Sequence, residues 1–455
     1  MFRDLPRYDT YARILVAWAP PLPAHWTIER GKSLFRRVQR VPNESDGVVT
    51  CFRDGVVTLR SRRRTSGFTE SVKEIGYQGI RRGDLVIHAM DAFAGAVGVS
   101  DSDGKGTPVY SVCVPRRDAN PHYFAAVVRE MARTSWIQSL AKGVRERSTD
   151  FRFEAFGLQF LPVPPPEEQA AIVKYLAHAN ARIDKAIAAK RRLITLLEEQ
   201  SSGLRDQALR SGDWPRRRLK TLIDRVDQGV SPQAENQEPG PGEWGVLKSG
   251  CVNGGSFRAD QVKRLPDGFA IPEAMSVREG DLLVSRANGS PHLVGSAARV
   301  SGLKHQAILS DKTFRLIPSP TVDADFLALS MNAQAYRQQV RTAISGAEGL
   351  ANNLPLSALK TFEFVVPPFQ FQRELVRMVE EELSTLRLTM NRVTSEIALL
   401  QEFRTRLVAD VVTGQVDVRA IATTLADVPE CESRHLDDPI HTLESDTRED
   451  EVADE

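Results

Sequence analysis

The chain has 455 residues, 41% hydrophobic and 26% charged, a balance that fits a soluble globular protein and excludes a disordered or fibrous one. Its formal net charge of +1 conceals an uneven distribution: twelve Asp and Glu against two Arg from Thr424 to Glu455 make that end about −10 and leave the body near +11. Residues 1–163 carry 25 Lys and Arg against 17 Asp and Glu, so an anionic partner is expected, and the length allows about three domains.

The first residues, "MFRDLPRYDTYARILVAWAPPLP", hold only a six-residue apolar stretch, Ile14 to Ala19, before prolines interrupt it. That is too short for a signal peptide or a membrane span, so no membrane association is expected. Cys51, Cys113, Cys251 and Cys431 lie far apart, with no CxxC and no nearby histidine pair. Neither a disulfide framework nor a metal site is indicated, which fits a reducing cytoplasm.

Moving along the chain, most of what is said once is said again. "HWTIERGKSLFRRVQ" (His25 to Gln39) matches "DWPRRRLKTLIDRVDQ" (Asp213 to Gln228), pairing Trp26 with Trp214 and Lys32 with Lys220 at an offset of 188. "RRGDLVI" (Arg81 to Ile87) matches "REGDLLV" (Arg278 to Val284) at 197, and "LPVPPPEEQ" (Leu161 to Gln169) matches "FVVPPFQFQ" (Phe364 to Gln372) at 203. Offsets that grow in one direction describe one unit copied twice with small loop insertions. Each copy has an opening segment with Trp and short β-like runs at Gly83 to Ile87 and Val109 to Val114, or Gly280 to Val284 and Thr313 to Ile317. A short helical stretch and a Pro-Pro stop follow, then a long helix. Gly, Asp, Asn and Pro clusters between the runs predict a mixed α/β domain with functional loops.

The run from Glu167 to about Ser211 has no proline and is rich in strong helix formers, with Glu167 and Glu168 in its first turn. Such a helix spans roughly 66 Å. The second run, Gln370 to Val412, places Leu375, Val379, Leu383, Leu386, Met390, Val393, Ile397, Leu400, Leu407 and Val411 mostly three or four apart, the coiled-coil period, with Arg404 the one polar residue on the seam. The first run follows a looser version through Ile172, Leu176, Ala179, Ile183, Ile187, Ile194, Leu197, Leu204 and Ala208. The two helices are expected to pack on each other as an antiparallel spacer.

Catalytic motifs fail on inspection. "GKS" at Gly31 to Ser33 has Trp26 where a phosphate loop needs glycine, and "GAVGVSDSDG" lacks the GxGxxG spacing. HExxH and GxSxG do not occur, nor does the Asn-Pro-Pro-Tyr or Asp-Pro-Pro-Tyr box with which amino-methyltransferases grip a flipped base. His88, Asp91 and Glu74 make no convincing acid/base set, so no catalytic residue is assigned. A binding module is the expected class.

With these residues in view, the chain resembles the specificity subunit of type I restriction-modification systems. "LPVPPPEEQAAIVKYLAHANARIDKAIAAKRRLITLLEEQ" resembles the family's start of its first spacer helix, and "LVADVVTGQVDVR" (Leu407 to Arg419) its close of the second. "GYQGIRRGDLVIHAMDAFAGAVGVS" and "GVRERSTDFRFEAFGLQFLPVPPP" resemble recognition-domain phrases. The likeness covers residues 22 to about 419, and "PPFQFQ" departs from it by lacking Glu before Gln. The resemblance implies target-recognition domains at 1–164 and 213–366 and spacer helices at 165–212 and 367–415; the acidic tail at 416–455 lies outside the pattern, and its composition leads us to expect disorder. The resemblance also implies a non-catalytic subunit reading a bipartite, asymmetric site on double-stranded DNA. The implied partners are two modification (methyltransferase) subunits and the restriction (translocase/endonuclease) subunits, which use S-adenosylmethionine, ATP and Mg, while this chain carries no cofactor. The cations expected to approach DNA are Arg62, Arg63, Arg64, Lys73, Lys105, Arg116 and Arg145 in the first copy and Lys248, Arg258, Lys263, Arg286 and Lys312 in the second. Two rivals remain: a coiled-coil scaffold protein without sequence preference, and a methyltransferase with its own recognition domains.

Overall fold

A computed structural model of the chain describes residues 5–12, 16–63, 75–140, 150–210, 212–344 and 352–426. Contacts divide the chain into two units, Met1–Ala189 with Glu396–Glu455, and Lys190–Ser395.

In the first unit four short strands form an antiparallel sheet in the order Phe35–Arg37, Tyr110–Pro115, Leu85–His88, Val97–Val99. Side chains alternate along each strand, which separates the sheet's two faces. Leu85, Ile87 and Cys113 join the large core that helix Pro121–Arg133 covers with Tyr123, Phe124, Val127 and Val128. Val86, Tyr110 and Val112 instead join Val49, Val57 and Ile80, which belong to two flanking strand pairs, Val49–Cys51 with Val57–Leu59 and Gln78–Ile80 with Gly104–Gly106.

The second unit repeats the plan with the strand order Ile223–Gln228, Thr313–Pro318, Leu282–Ser285, Ala297–Arg299. Leu282, Val284, Phe314 and Leu316 pack with Leu327, Tyr336 and Val340 from helices Ala324–Ser330 and Gln334–Ala343. Leu283 and Ala298 face Leu247, Val262 and Leu309, beneath the three-stranded sheet of Trp244–Leu247, Val262–Arg264 and Gln306–Ile308. A further pairing closes each unit: Thr27–Arg30 lies antiparallel to Phe160–Val163, and Arg216–Arg218 to Glu363–Val365. The strand that follows the tryptophan thus binds the strand that precedes the Pro-Pro stop.

The repeated Gly-Asp steps turn the chain into the central strand. Gly83 and Gly280 take φ of +88° and +83°, where a Cβ is strained. Asp84 and Asp281 each accept a hydrogen bond from the backbone N–H three residues earlier, Arg81 at 2.7 Å and Arg278 at 2.9 Å. Each aspartate then meets a cation, Arg40 in the first unit and Arg315 at 3.1 Å in the second. Arg315 is almost fully buried and also pairs with Asp227 at 2.7 Å. Burial pushes the Asp227 carboxyl up, but the hydrogen bonds from Arg315 and Arg225 outweigh it and hold the group below its ordinary range.

The long helices span Pro166–Leu209 and Phe369–Val412. Inside the first unit, Ile172, Tyr175, Leu176 and Ala179 from the start of the first helix share a core with Leu407, Val411 and Val412 from the end of the second. Inside the second unit, Leu204 and Ala208 from the end of the first helix pack with Leu375, Val379 and Leu383 from the start of the second. The pairing is antiparallel in each unit, and Arg404, the polar seam residue, reaches Asp184 on the opposite helix.

Residues 416–426 correct the expectation that a disordered tail begins at 416. Val418 is fully buried and Ala422 nearly so, and Arg419–Thr424 forms a short helix. The Asp417 N–H donates to the Pro6 carbonyl at 2.7 Å, Gln415 Nε2 donates to the Pro21 carbonyl at 3.0 Å, and the Arg419 guanidinium lies 5.1 Å from the centre of the Tyr8 ring. One helical turn is too short to show a period, so the order comes from a surface some four hundred residues upstream. The acidic residues from 427 onward lie outside the described residues.

Candidate nucleic-acid interface

Each unit is tied to its long helix by one glutamine. Gln169 Oε1 accepts from the Asn120 N–H at 2.9 Å while its Nε2 donates to the Pro164 carbonyl at 2.9 Å. Gln372 Oε1 accepts from the Asp323 N–H at 2.8 Å while its Nε2 donates to the Pro367 carbonyl at 2.8 Å. Asn120 and Asp323 are themselves N-caps, of helices Pro121–Arg133 and Ala324–Ser330, and each lies 49 residues before its glutamine. Both glutamines are buried, so the repeated Pro-Pro-x-x-x-Gln phrase is a joint between the globular part of each unit and its long helix.

The preceding residue makes the two joints unequal. Glu168 is 2% exposed and accepts from the Tyr8 hydroxyl at 2.5 Å and the Trp26 indole N–H at 2.9 Å, with His25 Nε2 at 2.8 Å. Burial, with the Glu168 hydrogen bond and charge, pushes the Tyr8 phenol well above its ordinary value. Its counterpart Phe371 packs against Trp214 with ring centroids 5.5 Å apart and the planes tilted, and the buried Trp214 indole N–H has no hydrogen-bond partner among the described residues.

Three predicted cations, Arg64, Lys73 and Arg145, lie outside the described residues. In the first unit Lys105 lies on a flanking strand pair, and Arg62 and Arg63 lie on the turn that follows the strand Val57–Leu59 of the other pair. Arg62 donates to the Ser102 hydroxyl at 2.9 Å and lies 3.5 Å from Asp101. Arg63 donates to Asp54 at 3.0 Å and covers the Phe52 ring at 4.4 Å. Although burial raises the Asp54 carboxyl, Arg63 holds it below its usual range, so this cation is already largely compensated. Lys105 sits opposite Gly79 in the pair Gln78–Ile80 with Gly104–Gly106. Arg116 stands apart from these, in a shallow pocket with Lys32, Ser33, Arg36, Pro115 and Arg117. Sequence reasoning missed that cluster, because its members come from two stretches about eighty residues apart.

In the second unit Arg286 and Lys312 meet through their backbones just beyond the strand Leu282–Ser285, while Lys248 and Arg258 flank the turn Ser249–Gly255. Lys248 leads into the turn Ser249–Gly255, and the Arg258 N–H closes that turn on the Cys251 carbonyl at 2.8 Å. The Arg286 N–H donates to the Lys312 carbonyl at 2.8 Å, and Arg286 Nη1 to the Asp311 carbonyl at 3.0 Å. Lys263 lies on the adjoining three-stranded sheet, opposite Val246. Among the described residues, Lys248, Arg258, Lys263 and Lys312 have no ion pair, in contrast to Arg63.

The strand ends share a backbone frame. The Phe151 N–H donates to the Ala89 carbonyl at 3.0 Å, and the Leu354 N–H to the Arg286 carbonyl at 2.8 Å. On this frame the first unit carries His88, Asp91 and Arg53, with Arg53 at 3.0 Å and His88 at 3.5 Å from Asp91. Burial lowers the His88 pKa, and Asp91 opposes that only in part. The second unit carries asparagines instead: Ala287–Asn288 pairs with Asn352–Asn353, and Asn288 Nδ2 lies 3.4 Å from Asn253 Oδ1. Among the described residues no three His, Cys, Asp or Glu are grouped to hold a metal, and no helix is long and apolar enough to cross a membrane.

The duplicated sheet and the paired long helices can be set against known proteins. The specificity subunit of type I restriction enzyme EcoEI from Escherichia coli is 29% identical over 171 residues, 37% of this chain and 28% of that protein. The EcoKI specificity subunit from Escherichia coli (strain K12) is 21% identical over 297 residues, 62% of each chain. This chain is similar to the specificity subunits of type I restriction enzymes. A chain from a solved structure concerned with assembly and conformational transition of the type I R-M system superposes with a TM-score of 0.56 at 17% identity, over 87% of this chain and 99% of that one. At that identity the likeness speaks for the fold alone, a mixed α/β architecture with two long helices. No family model matches, and the aligned regions reach 28% to 62% of these curated relatives' lengths.

Proposed function

We propose that the chain is the non-catalytic specificity subunit of a type I restriction-modification complex, reading a split, asymmetric site on double-stranded DNA in the cytoplasm. Each unit reads one half-site, the two helices fix the interval between the halves, and the joints at Gln169 and Gln372 hold each reader to that interval. Two modification subunits methylate, restriction subunits translocate and cut, and S-adenosylmethionine, ATP and Mg serve those partners.

The observation that carries this reading is the duplicated sheet order, in which one framework presents different side chains twice. Unlike readers on a common frame suit a target whose halves differ, and a fixed spacer makes half-site spacing a geometric property. Exposed lysines and arginines supply affinity for phosphates, and loop side chains supply sequence preference. Co-expression with the modification subunit followed by methylated-base sequencing tests it. The expected result is adenine methylation in a two-part motif with a constant gap; a continuous motif, or an active complex that leaves DNA unmethylated, overturns it.

A further inference from the structure

Just beyond the strand Leu282–Ser285, the second unit brings three amides together. Asn253 comes from the turn Ser249–Gly255, Asn288 from the strand end and Asn352 from the returning segment. Asn288 Oδ1 accepts from the Ser290 N–H at 3.2 Å, and Asn352 Nδ2 lies 3.4 Å from the Gly289 carbonyl. Asn253 Nδ2 and Asn352 Oδ1 have no partner among the described residues, so the group keeps both donor and acceptor capacity to spare. A side chain at Gly254 or Gly289 would meet nothing within 4 Å of its Cβ, so the ground beside the amides is open. By backbone position, Lys248 directly precedes the turn that carries Asn253, and Arg286, two residues before Asn288, is bonded through its N–H to the Lys312 carbonyl at 2.8 Å.

An amide brings a phosphate a donor but no charge, whereas its paired donor and acceptor match the N6 and N7 edge of adenine in the major groove. Those cations suit the backbone on either side. At the equivalent frame of the first unit the same backbone bond carries His88 beside Arg53 and Asp91, whose opposite charges pair with each other at 3.0 Å. Two half-sites read through these positions would differ in base content.

We propose that Asn253, Asn288 and Asn352 form the direct-reading patch of the second unit and that it recognises A·T base pairs in that unit's half-site. The proposal rests on the specificity-subunit reading above. The test uses the full chain assembled with its modification subunits, comparing the methylation motifs of the wild type, Asn288→Ala, Asn352→Ala and the conservative Asn352→Gln. In the alanine variants one half of the motif should degenerate at one or more A·T positions, with roughly ten- to hundredfold less discrimination there, while the other half stays intact. The intact half serves as an internal measure of folding. An unchanged motif, equal weakening of both halves, loss of all methylation in both alanine variants, or a wild-type motif whose affected half lacks A·T pairs overturns the proposal and leaves the reading standing. A wild-type complex with no split motif overturns the reading itself.

Discussion

Glu168 and Phe371 occupy the same place in the repeat, yet one is a buried acceptor for two donors and the other an aromatic lid over a tryptophan. The sequence shows the substitution but not its consequence, because Tyr8 and Trp26 approach Glu168 from about 160 and 142 residues away. Exchanging the residues should therefore be asymmetric. Glu168→Phe leaves the Tyr8 hydroxyl and Trp26 N–H buried without an acceptor, at about 1–3 kcal/mol each. Phe371→Glu offers the unpartnered Trp214 N–H an acceptor at a half-exposed position and should cost less than about 1 kcal/mol. Chemical denaturation of the two variants measures the difference, and equal losses would remove the hub role given to Glu168. The predicted cations make a similar point: charge is legible in the sequence, whereas the compensation of Arg63 by Asp54 and Phe52 depends on which loops meet.

At the scale of elements, the long helices are the most legible feature because their apolar period is local. Proline-free helix formers fix their length, and the steps of three and four fix the face that is buried. Leu383 is 1% exposed whereas Leu388, five residues on, is 70% exposed. Leu383→Ala is expected to destabilise the second unit by about 2–4 kcal/mol and Leu388→Ala by less than about 0.5 kcal/mol, as read by urea unfolding. A comparable cost at both positions would mean that the seam is not the surface that holds the helices. The strands were legible as short apolar runs, but not their pairing. The order placing Tyr110–Pro115 between Phe35–Arg37 and Leu85–His88 is set by contacts far apart in sequence.

At the scale of the whole molecule, each unit owns a separate core, one centred on Phe35, Phe124 and Phe156 and the other on Phe314, Leu327 and Tyr336. Unfolding followed by calorimetry should show two transitions rather than one. Phe156→Ala should lower one of them and Phe314→Ala the other, each by about 3–5 kcal/mol, with little effect on the companion transition. A single transition shifted by both variants would mean that the cores unfold as one. The clasp between residues 416–426 and the first residues of the chain belongs to the first core, although it joins opposite ends of the sequence.

The sequence by itself determined the duplication, the mixed α/β class and the two long helices, because repeated phrases, apolar periods and proline stops are properties of neighbouring residues. Its likeness to type I specificity subunits also rests on such phrases. Tertiary structure decided what the glutamine of each Pro-Pro phrase holds, why Glu168 and Phe371 differ, and which asparagines meet beyond a strand end. Those features arise where segments tens to hundreds of residues apart are brought within hydrogen-bond distance. A buried donor or charge takes its meaning from the partner that reaches it.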